Sequence, residues 1–283
     1  MVIDEHNVGD VVDLLSSDFR SRSRDFWASG IEKLMVSPAH AEQKRPVGYT
    51  LRADGALVGV GLTAETPDWH PELAETGKRR INLASWYIKP EHRWRLPVLL
   101  GKMLKDKAAT YTDLSPTPKV QPILESLGFD PLNNGVLVVN LAAAAVQSCA
   151  EGTISEEIPD YKDPALCRMI KEHESYGCLS FEIAVAEKST PLLLKSSSLK
   201  RVPALEVIYC QDADLLRTCL PLLASHLVKR GYLAMVLDIP VGSSSHTSWS
   251  QFAFPQRRRR YAKNAKSTNG IDRTYSEMVF FDF

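Results

Sequence analysis

The stretch 81–129 constrains the fold of this chain more than any other segment. It opens with residues 83–88, a short run of aromatic and β-branched residues that is typical of a buried strand. Pro90 ends the strand because proline cannot donate a hydrogen bond to a neighbouring strand. Apolar residues then recur at helical spacing over 96–104, and Pro97 stands in the first turn, where helices prefer proline. The pattern predicts a strand that leads into an amphipathic helix.

The remainder of the stretch predicts one more strand and one more helix. Residues 111–114 suit a short strand, which Pro116 and Pro118 end. Residues 120–127 suit a short helix that Gly128 closes. The stretch therefore alternates between strands and helices.

A charged elbow, residues 91–95, joins the first strand to the first helix of this stretch. The start of a helix has unpaired amide groups and a partial positive charge, and both attract phosphate. Arg93 and Arg95 add formal positive charge there, so the elbow is a candidate phosphate site. The alternative interpretation is a solvated elbow whose arginines pair with nearby carboxylates.

Two segments of the stretch match a recognisable pattern. Residues 86–93, WYIKPEHR, have the form of a strand that enters a phosphate-binding loop, and residues 124–129, LESLGF, end a helix in Gly-Phe. A hairpin with an Asp-Gly turn over 48–61 supplies two strands before them. In these features the chain resembles the GCN5-related N-acetyltransferase superfamily, over about residues 8–141. The resemblance implies an α/β fold with a mixed sheet, and together with the internal repeat described below it implies two acyl-CoA acyltransferase-like domains in tandem.

The same resemblance brings out two departures from the family. Leu96 and Val98 stand where the family loop has glycine and then glycine or alanine, which let the backbone approach a pyrophosphate closely. Pro97 between them supplies no amide hydrogen. Leu124 stands where the family often has a tyrosine that acts as general acid, and leucine can donate no proton.

The resemblance implies acetyl-CoA or another acyl-CoA as the co-substrate and no metal. The pantetheine arm would follow the strand 83–88, and the diphosphate would meet the amides around 93–98. The residues implied to bind this co-substrate are Trp86, Tyr87, Ile88, Arg93, Trp94, Arg95 and Leu96.

Two residues are candidates for the chemistry of acyl transfer. Glu65 lies in a polar, acidic loop predicted over 63–77, and it could serve as general base for an acceptor amine or hydroxyl, with His70 as the alternative. Ser115, just past the second strand, is placed by the resemblance where it could contact the leaving thiol. The alternative is that the loop is an ordinary acidic surface loop.

Two helices are predicted ahead of the hairpin, over 8–19 and around Ile31. In the resembled family, helices at this place border the acceptor site. The alternative for Phe26 and Trp27 on the second helix is simple packing on the sheet.

The second half of the chain repeats part of the first half. Residues 96–116 align without a gap with residues 220–240, and residues 204–210 parallel the strand 83–88. Identical residues occupy the pairs Leu96 and Leu220, Pro97 and Pro221, Leu99 and Leu223, Lys105 and Lys229, and Pro116 and Pro240. A repeat of this length predicts a duplicated domain.

The predicted domains are 1–146, a linker at 147–164, and a degenerate second copy at 165–283. In the second copy the loop 211–219 has no glycine, and its two aspartates would repel a diphosphate. Strands are predicted there over 233–239 and 275–281.

Composition and charge narrow the choice of partners. The formal net charge is +0, so no general attraction to nucleic acid is expected, although the run 257–266 is dense in arginine and lysine. No segment approaches the length of a membrane span, and the five cysteines lack metal-ligand spacing. We therefore expect a cytoplasmic protein with reduced thiols.

Two hypotheses about function follow. The first is an acyl-CoA-dependent transferase that acts on the amine or hydroxyl of a small molecule or saccharide. The second is a non-catalytic tandem domain that binds a partner or polyanion, through Arg257 to Arg260.

Overall fold

The computed structural model describes residues 1–147, 152–241, 250–265 and 271–282. The helices in these ranges are α1 Val8–Asp18, α2 Arg24–Met35, α3 Pro38–Ala41, α4 Pro71–Thr76, α5 Leu96–Met103, α6 Gln121–Ser126, α7 Leu141–Ala145, α8 Pro164–Ser175, α9 Ala213–Thr218, α10 Leu220–Lys229 and α11 Glu277–Phe280, with a 3-10 helix at Pro90–Arg95. The strands are β1 Gly48–Ala53, β2 Ala56–Glu65, β3 Arg80–Ile88, β4 Thr110–Asp113, β5 Asp130–Pro131, β6 Asn133–Asn140, β7 Thr153–Ser155, β8 Cys178–Val185, β9 Lys188–Leu199, β10 Val202–Cys210, β11 Ala234–Pro240, β12 Gln251–Pro255, β13 Tyr261–Lys263 and β14 Ile271–Asp272.

The chain forms two compact units. Unit 1 contains Met1–Ser115, Ala262–Ala265 and Tyr275–Asp282, and unit 2 contains Pro116–Tyr261 and Lys266–Thr274. This division falls earlier in the chain than the linker predicted at 147–164. The predicted boundaries separate two copies of one fold, which need not coincide with compact units, and they stay a prediction.

Unit 1 is built on strands in the order β1, β2, β3 and β4. The predicted hairpin is confirmed: β1 and β2 are antiparallel, and Asp54 and Gly55 turn between them with φ angles of 49° and 80°. β3 is antiparallel to β2 and parallel to β4, so α5 is the crossover between β3 and β4. α5 packs on β1 and β2, where a Cβ on Gly61 would lie 2.3 Å from the Met103 Sδ.

The predicted second helix of unit 1 is also confirmed, as α2. Its N-cap is Ser23, whose side chain accepts a hydrogen bond from the backbone N–H of Phe26. Trp27 is buried and its ring packs against Phe19, Phe26 and Phe281. The structure therefore shows the packing role for Trp27 that the sequence offered as an alternative.

Unit 2 contains a seven-strand order, β12-β6-β11-β10-β9-β8-β7. Only β10 and β11 are parallel among the neighbouring pairs described, and α10 crosses between them. The core of this unit packs α9 and α10 on the sheet through Leu215, Leu216, Leu223, Leu227 and neighbouring aliphatic residues. Leu124 on α6 is fully buried, which is ordinary for a leucine.

The strand predicted over 275–281 is wrong. Tyr275 has a left-handed backbone with φ of 53°, and Ser276 is the N-cap of the helix α11. Nearly every side chain of this segment is buried, including Val279 and Phe280. Burial on all sides removes the periodicity that separates a strand from a helix in a short segment.

The polar loop predicted over 63–77 is shorter than expected. β2 continues to Glu65, and α4 begins at Pro71, which is a favoured first residue of a helix. Gly77 ends α4 with φ of 61°. The acidic residues of this region resemble a surface loop in composition, but their pairing with arginines allows some of them to be buried.

No helix among the described residues is long and apolar enough to cross a membrane. Within the same ranges, the cysteines at 167, 178, 210 and 219 form no disulfide. Cys149 lies outside the described residues.

Candidate functional site

β3 and β4 diverge part-way along their length. They pair from Arg80 and Thr110 to Asn82 and Thr112, yet β3 continues to Ile88. Just beyond the last pair, β3 has a bulge: Leu83 lies opposite Thr63 and Ser85 opposite Leu62, which leaves Ala84 as the extra residue. A bulge bends its strand and increases the twist, which explains the divergence. We call this opening the unit 1 splay.

The divergence exposes one backbone edge of β3. Residues 83–88 pair with β2 on one side, and the described strands offer no partner on the side that faces away from β2. Unpaired N–H and C=O groups on a strand edge bind an extended ligand that has amide groups of its own.

A cluster of polar side chains lies where the two strands part. The Asn82 amide and the Ser115 hydroxyl both donate to the carboxylate of Glu277, the latter over 2.7 Å. The Thr112 hydroxyl donates to the Asn82 side-chain carbonyl over 3.0 Å. Asp113 accepts hydrogen bonds from the Trp86 indole and the Ser115 backbone N–H. We call these residues the splay cluster: Asn82, Trp86, Thr112, Asp113, Ser115 and Glu277.

The two carboxyl groups of the splay cluster interact. Asp113 is 4% exposed and Glu277 is fully buried. Burial, and then the negative charge of Glu277, raise the pKa of Asp113 well above its ordinary range, against the opposing effect of its two hydrogen bonds. Asp113 therefore holds its proton under conditions in which an ordinary aspartate has lost it.

Glu277 reaches the cluster because α11 is anchored on α2. The Phe281 ring packs against Phe26 and Trp27, and a Cβ on Gly30 would lie only 2.1 Å from that ring. The exposed ion pair of Lys33 with Asp282, over 3.0 Å, adds little to this anchor. The absence of a side chain at Gly30 is what lets the C-terminal segment sit against α2.

The charged elbow forms a 3-10 helix that leads directly into α5. Arg93 is exposed, and the Arg95 guanidinium lies 4.6 Å from the centre of the Trp94 ring, which is itself 71% exposed. The Leu96 N–H is already bonded to the Arg93 carbonyl, and Pro97 has no N–H. The elbow can therefore meet the diphosphate of an acyl-CoA with charged and aromatic side chains rather than with the backbone amides of a glycine loop. The β3 edge suits the pantetheine arm.

Glu65 lies in an environment that suits an ion pair. Its side chain is buried, and its two oxygens accept bonds of 2.6 and 2.7 Å from Arg79. Arg45 is a second cation, 3.5 Å away. Both Glu65 oxygens thus take part in ion pairs with arginine, and the catalytic role of Glu65 stays a prediction.

The other predicted residues divide into two groups. Trp86 and Ser115 belong to the splay cluster. Tyr87 packs against Phe19, and burial together with a hydrogen bond to Asp18 raises its pKa to about 12. Ile88 is buried at the end of β3.

Sequence reasoning missed Asp113 and Glu277. Asp113 lies near the end of the predicted strand 111–114 and is the last residue of β4, so an acidic residue near the end of a strand was a usable signal. Glu277 lies 195 residues from its partner Asn82, and nothing in the local sequence connects the two.

Comparisons with known proteins agree on the fold. No family model and no curated protein matches the sequence. The structure resembles that of a GCN5-related N-acetyltransferase from Anabaena variabilis, with a TM-score of 0.60 at 11% identity over 93% of this chain and 71% of that chain. The chain has the GCN5-related N-acetyltransferase fold.

Two further solved structures share this fold. A Pyrococcus horikoshii protein, provisionally assigned as an acetyltransferase, has a TM-score of 0.57 at 11% identity, over 100% of this chain and 95% of its own. A GCN5-related glucosamine N-acetyltransferase region in a fungal multi-domain GH3 β-N-acetylglucosaminidase has a TM-score of 0.56 at 11% identity, over 93% of this chain and 38% of that one. Similarity at this level of identity is similarity of fold.

Proposed function

We propose that this protein is an acyl-CoA-dependent acyltransferase whose reaction takes place at the unit 1 splay. The observation that carries the proposal is the divergence of β3 from β4 after Asn82, with the bulge at Ala84 and an open strand edge beyond it. That edge can hydrogen-bond the amide groups of a pantetheine arm, as a strand would. Polar side chains converge where the arm would end.

Residues along the splay take separate parts in the proposed binding. The backbone of residues 83–88 holds the arm, with Trp86, Tyr87 and Ile88 contributing their main-chain groups. At the outer end, Arg93 and Arg95 provide charge for the diphosphate, and the exposed Trp94 offers an apolar face beside Leu96. At the inner end, Ser115 and its neighbours surround the thioester.

The acceptor is proposed to be an amine or hydroxyl of a small molecule or saccharide. One protein of the same fold is named for acetyl transfer to glucosamine, so amino sugars are the first class to screen. Acyl-CoA supplies the activated acyl group when it is bound. The protein's own task is to hold the thioester, orient the acceptor and handle the protons.

The test is calorimetric titration with acetyl-CoA and longer acyl-CoAs. We expect saturable binding that falls at least tenfold in an Arg93→Ala, Arg95→Ala double variant, because two charge-assisted contacts to phosphate are lost. Arg257→Ala is the control, since Arg257 is an exposed arginine of unit 2. Absence of heat and of any thermal shift with every acyl-CoA would overturn the proposal and direct attention to non-catalytic partner binding.

A further inference from the structure

The innermost part of the unit 1 splay holds two carboxyl groups in unlike surroundings. Asp113 is the first residue of β4 beyond the last β3–β4 pair, Asn82 with Thr112. Glu277 is brought to the same point by α11 and bonds to Asn82 itself. The inference drawn from them rests on the proposed function, because it concerns the thioester that this point would receive.

Asp113 is surrounded by features that favour its neutral form. It is buried, and the charged group that acts on it is the Glu277 carboxylate, which is of like sign. The Trp86 indole and the Ser115 N–H donate to it without adding formal charge. Its raised pKa follows from this balance.

The surroundings of Glu277 differ from those of Asp113. Its two carboxylate oxygens accept from the Ser115 hydroxyl and from the Asn82 amide. Hydrogen bonds donated to a carboxylate stabilise the charged state. Asn82 is itself held by the Thr112 hydroxyl, so the amide is oriented with its N–H toward Glu277.

We propose that Glu277 is the general base and Asp113 the general acid of acyl transfer at the unit 1 splay. Two neighbouring carboxyl groups, one in surroundings that favour its proton and one that accepts hydrogen bonds on both oxygens, suit acid–base catalysis. Asp113 would thereby take over the proton-donating task for which Leu124 has no suitable group.

The proposed proton transfers balance. Glu277 accepts one proton from the acceptor nitrogen or oxygen as that atom attacks the thioester carbonyl carbon. The new bond to carbon forms, the carbonyl re-forms and the C–S bond breaks, so the electron pair of that bond leaves on sulfur. Asp113 gives its proton to this thiolate. The proton on Glu277 then returns to Asp113; the two carboxyl groups share Ser115 as a neighbour, which bonds to Glu277 through its hydroxyl and to Asp113 through its backbone N–H.

The first test needs no substrate. Infrared difference spectroscopy of the free protein should show a protonated carboxyl band at neutral pH that is absent in Asp113→Asn. That band should persist in Asp282→Asn, which alters an exposed carboxylate of the same C-terminal segment. If the band disappears as the pH passes the ordinary pKa of an aspartate, the assignment of Asp113 is wrong.

The second test measures transfer and binding separately. Glu277→Gln and Asp113→Asn should each lower kcat by about 10²–10⁴-fold while calorimetric affinity for acetyl-CoA changes little. Each should also remove one limb of the pH profile of kcat, the acid limb in Glu277→Gln and the alkaline limb in Asp113→Asn. Asp282→Asn should leave kcat and the profile unchanged.

The outcomes separate this inference from the proposed function. If the wild type binds and transfers acyl groups but both variants keep their kcat, the acid–base assignment is wrong and the transferase proposal stands. If the wild type binds no acyl-CoA, both fall together. Circular dichroism shows whether the variants fold. If they do not, the infrared band of the wild type at neutral and alkaline pH still decides whether Asp113 is protonated.

Discussion

The two units contain the same backbone device with different contents. In unit 1, parallel pairing of β3 and β4 runs from Arg80 and Thr110 to Asn82 and Thr112. In unit 2, the pairing of β10 and β11 runs from Ala204 and Ala234 to Glu206 and Val236. These positions correspond at the offset that aligns α5 with α10. We call the second opening the unit 2 splay.

The bulges correspond as well. Val207 lies opposite Leu194 and Tyr209 opposite Leu193, so Ile208 is the extra residue of β10, just as Ala84 is the extra residue of β3. Strand, bulge, parallel pair and crossover helix thus recur in the same order and spacing. This correspondence supports the predicted tandem duplication, which stays a proposal.

The side chains at the two openings make them chemically different. Glu206 stands where unit 1 has Asn82, and it pairs with Arg258 and, over 3.4 Å, with Arg260. Asp238 pairs with Arg260 over 2.9 Å and with Arg273. Although burial alone would raise it, these two arginines lower the pKa of Asp238 to about 2. The unit 2 splay is therefore occupied by an ion cluster of the protein's own side chains.

The comparison shows how one backbone device can serve chemistry or stability. In unit 1, Asp113 accepts from the uncharged Trp86 indole and Ser115 N–H, and its pKa is raised by burial and by Glu277. Unit 2 pairs Glu206 and Asp238 with arginines, so its opening is filled by the protein's own side chains. The same comparison changes the interpretation of the basic run 257–266. Arg258, Arg259 and Arg260 pair with carboxylates, and Lys266 lies outside the described residues.

The largest expected effect comes from breaking the ion cluster of unit 2. Arg260→Met keeps much of the side-chain length but leaves Asp238 and Glu206 with less positive charge. Removal of one partner from a buried ion pair costs about 3–5 kcal/mol. Urea unfolding should show this loss, whereas Arg257→Met, at an exposed site, should change stability by less than about 0.5 kcal/mol. Equal stability of the two variants would contradict the structural role of the cluster.

A smaller effect is expected from the anchor of α11. Gly30→Ala places a methyl group against the Phe281 ring, which must shift and move Glu277 with it. Overpacking of this kind costs about 1–3 kcal/mol, and kcat should fall further than stability alone explains. The control is Gly9→Ala, since a Cβ there meets no atom within 4 Å and the exchange should stabilise α1 by up to about 1 kcal/mol. A neutral Gly30→Ala would mean that the contact is not tight.

The sequence predicted the scaffold of unit 1 better than its site. The hairpin, β3 and α5 follow from turn residues, apolar periodicity and proline positions. The site depends on α11, whose burial on all sides concealed its helical period. It also depends on the contact of Glu277 with Asn82, which no local pattern encodes. Likewise, arginines at 258–260 resemble a surface run until the carboxylates on β10 and β11 are placed beside them.

Per pH unit, the smallest expected effect is a difference in pH dependence between the two openings. The folded-state pKa of Asp113 lies above 3.8, so its stabilising contribution is present below that pH and is lost as pH rises toward the folded-state pKa. The free energy of unfolding of Asp113→Asn should therefore rise relative to that of the wild type by up to about 1.4 kcal/mol per pH unit across this window. Asp238 has a lowered pKa, so its contribution is present above 3.8 and is lost as pH falls through about 2. Urea unfolding from pH 4 to 8 measures the first slope, and parallel curves for wild type and variant would contradict it.

The central claim is that the unit 1 splay takes acyl-CoA and the unit 2 splay does not. Calorimetric titration of the full chain with acetyl-CoA tests it most directly, since the heat gives both affinity and stoichiometry. We predict one molecule bound per chain, lost in the Arg93→Ala, Arg95→Ala double variant and retained in Arg257→Ala. Two molecules per chain, or binding that survives the double variant unchanged, would contradict the account.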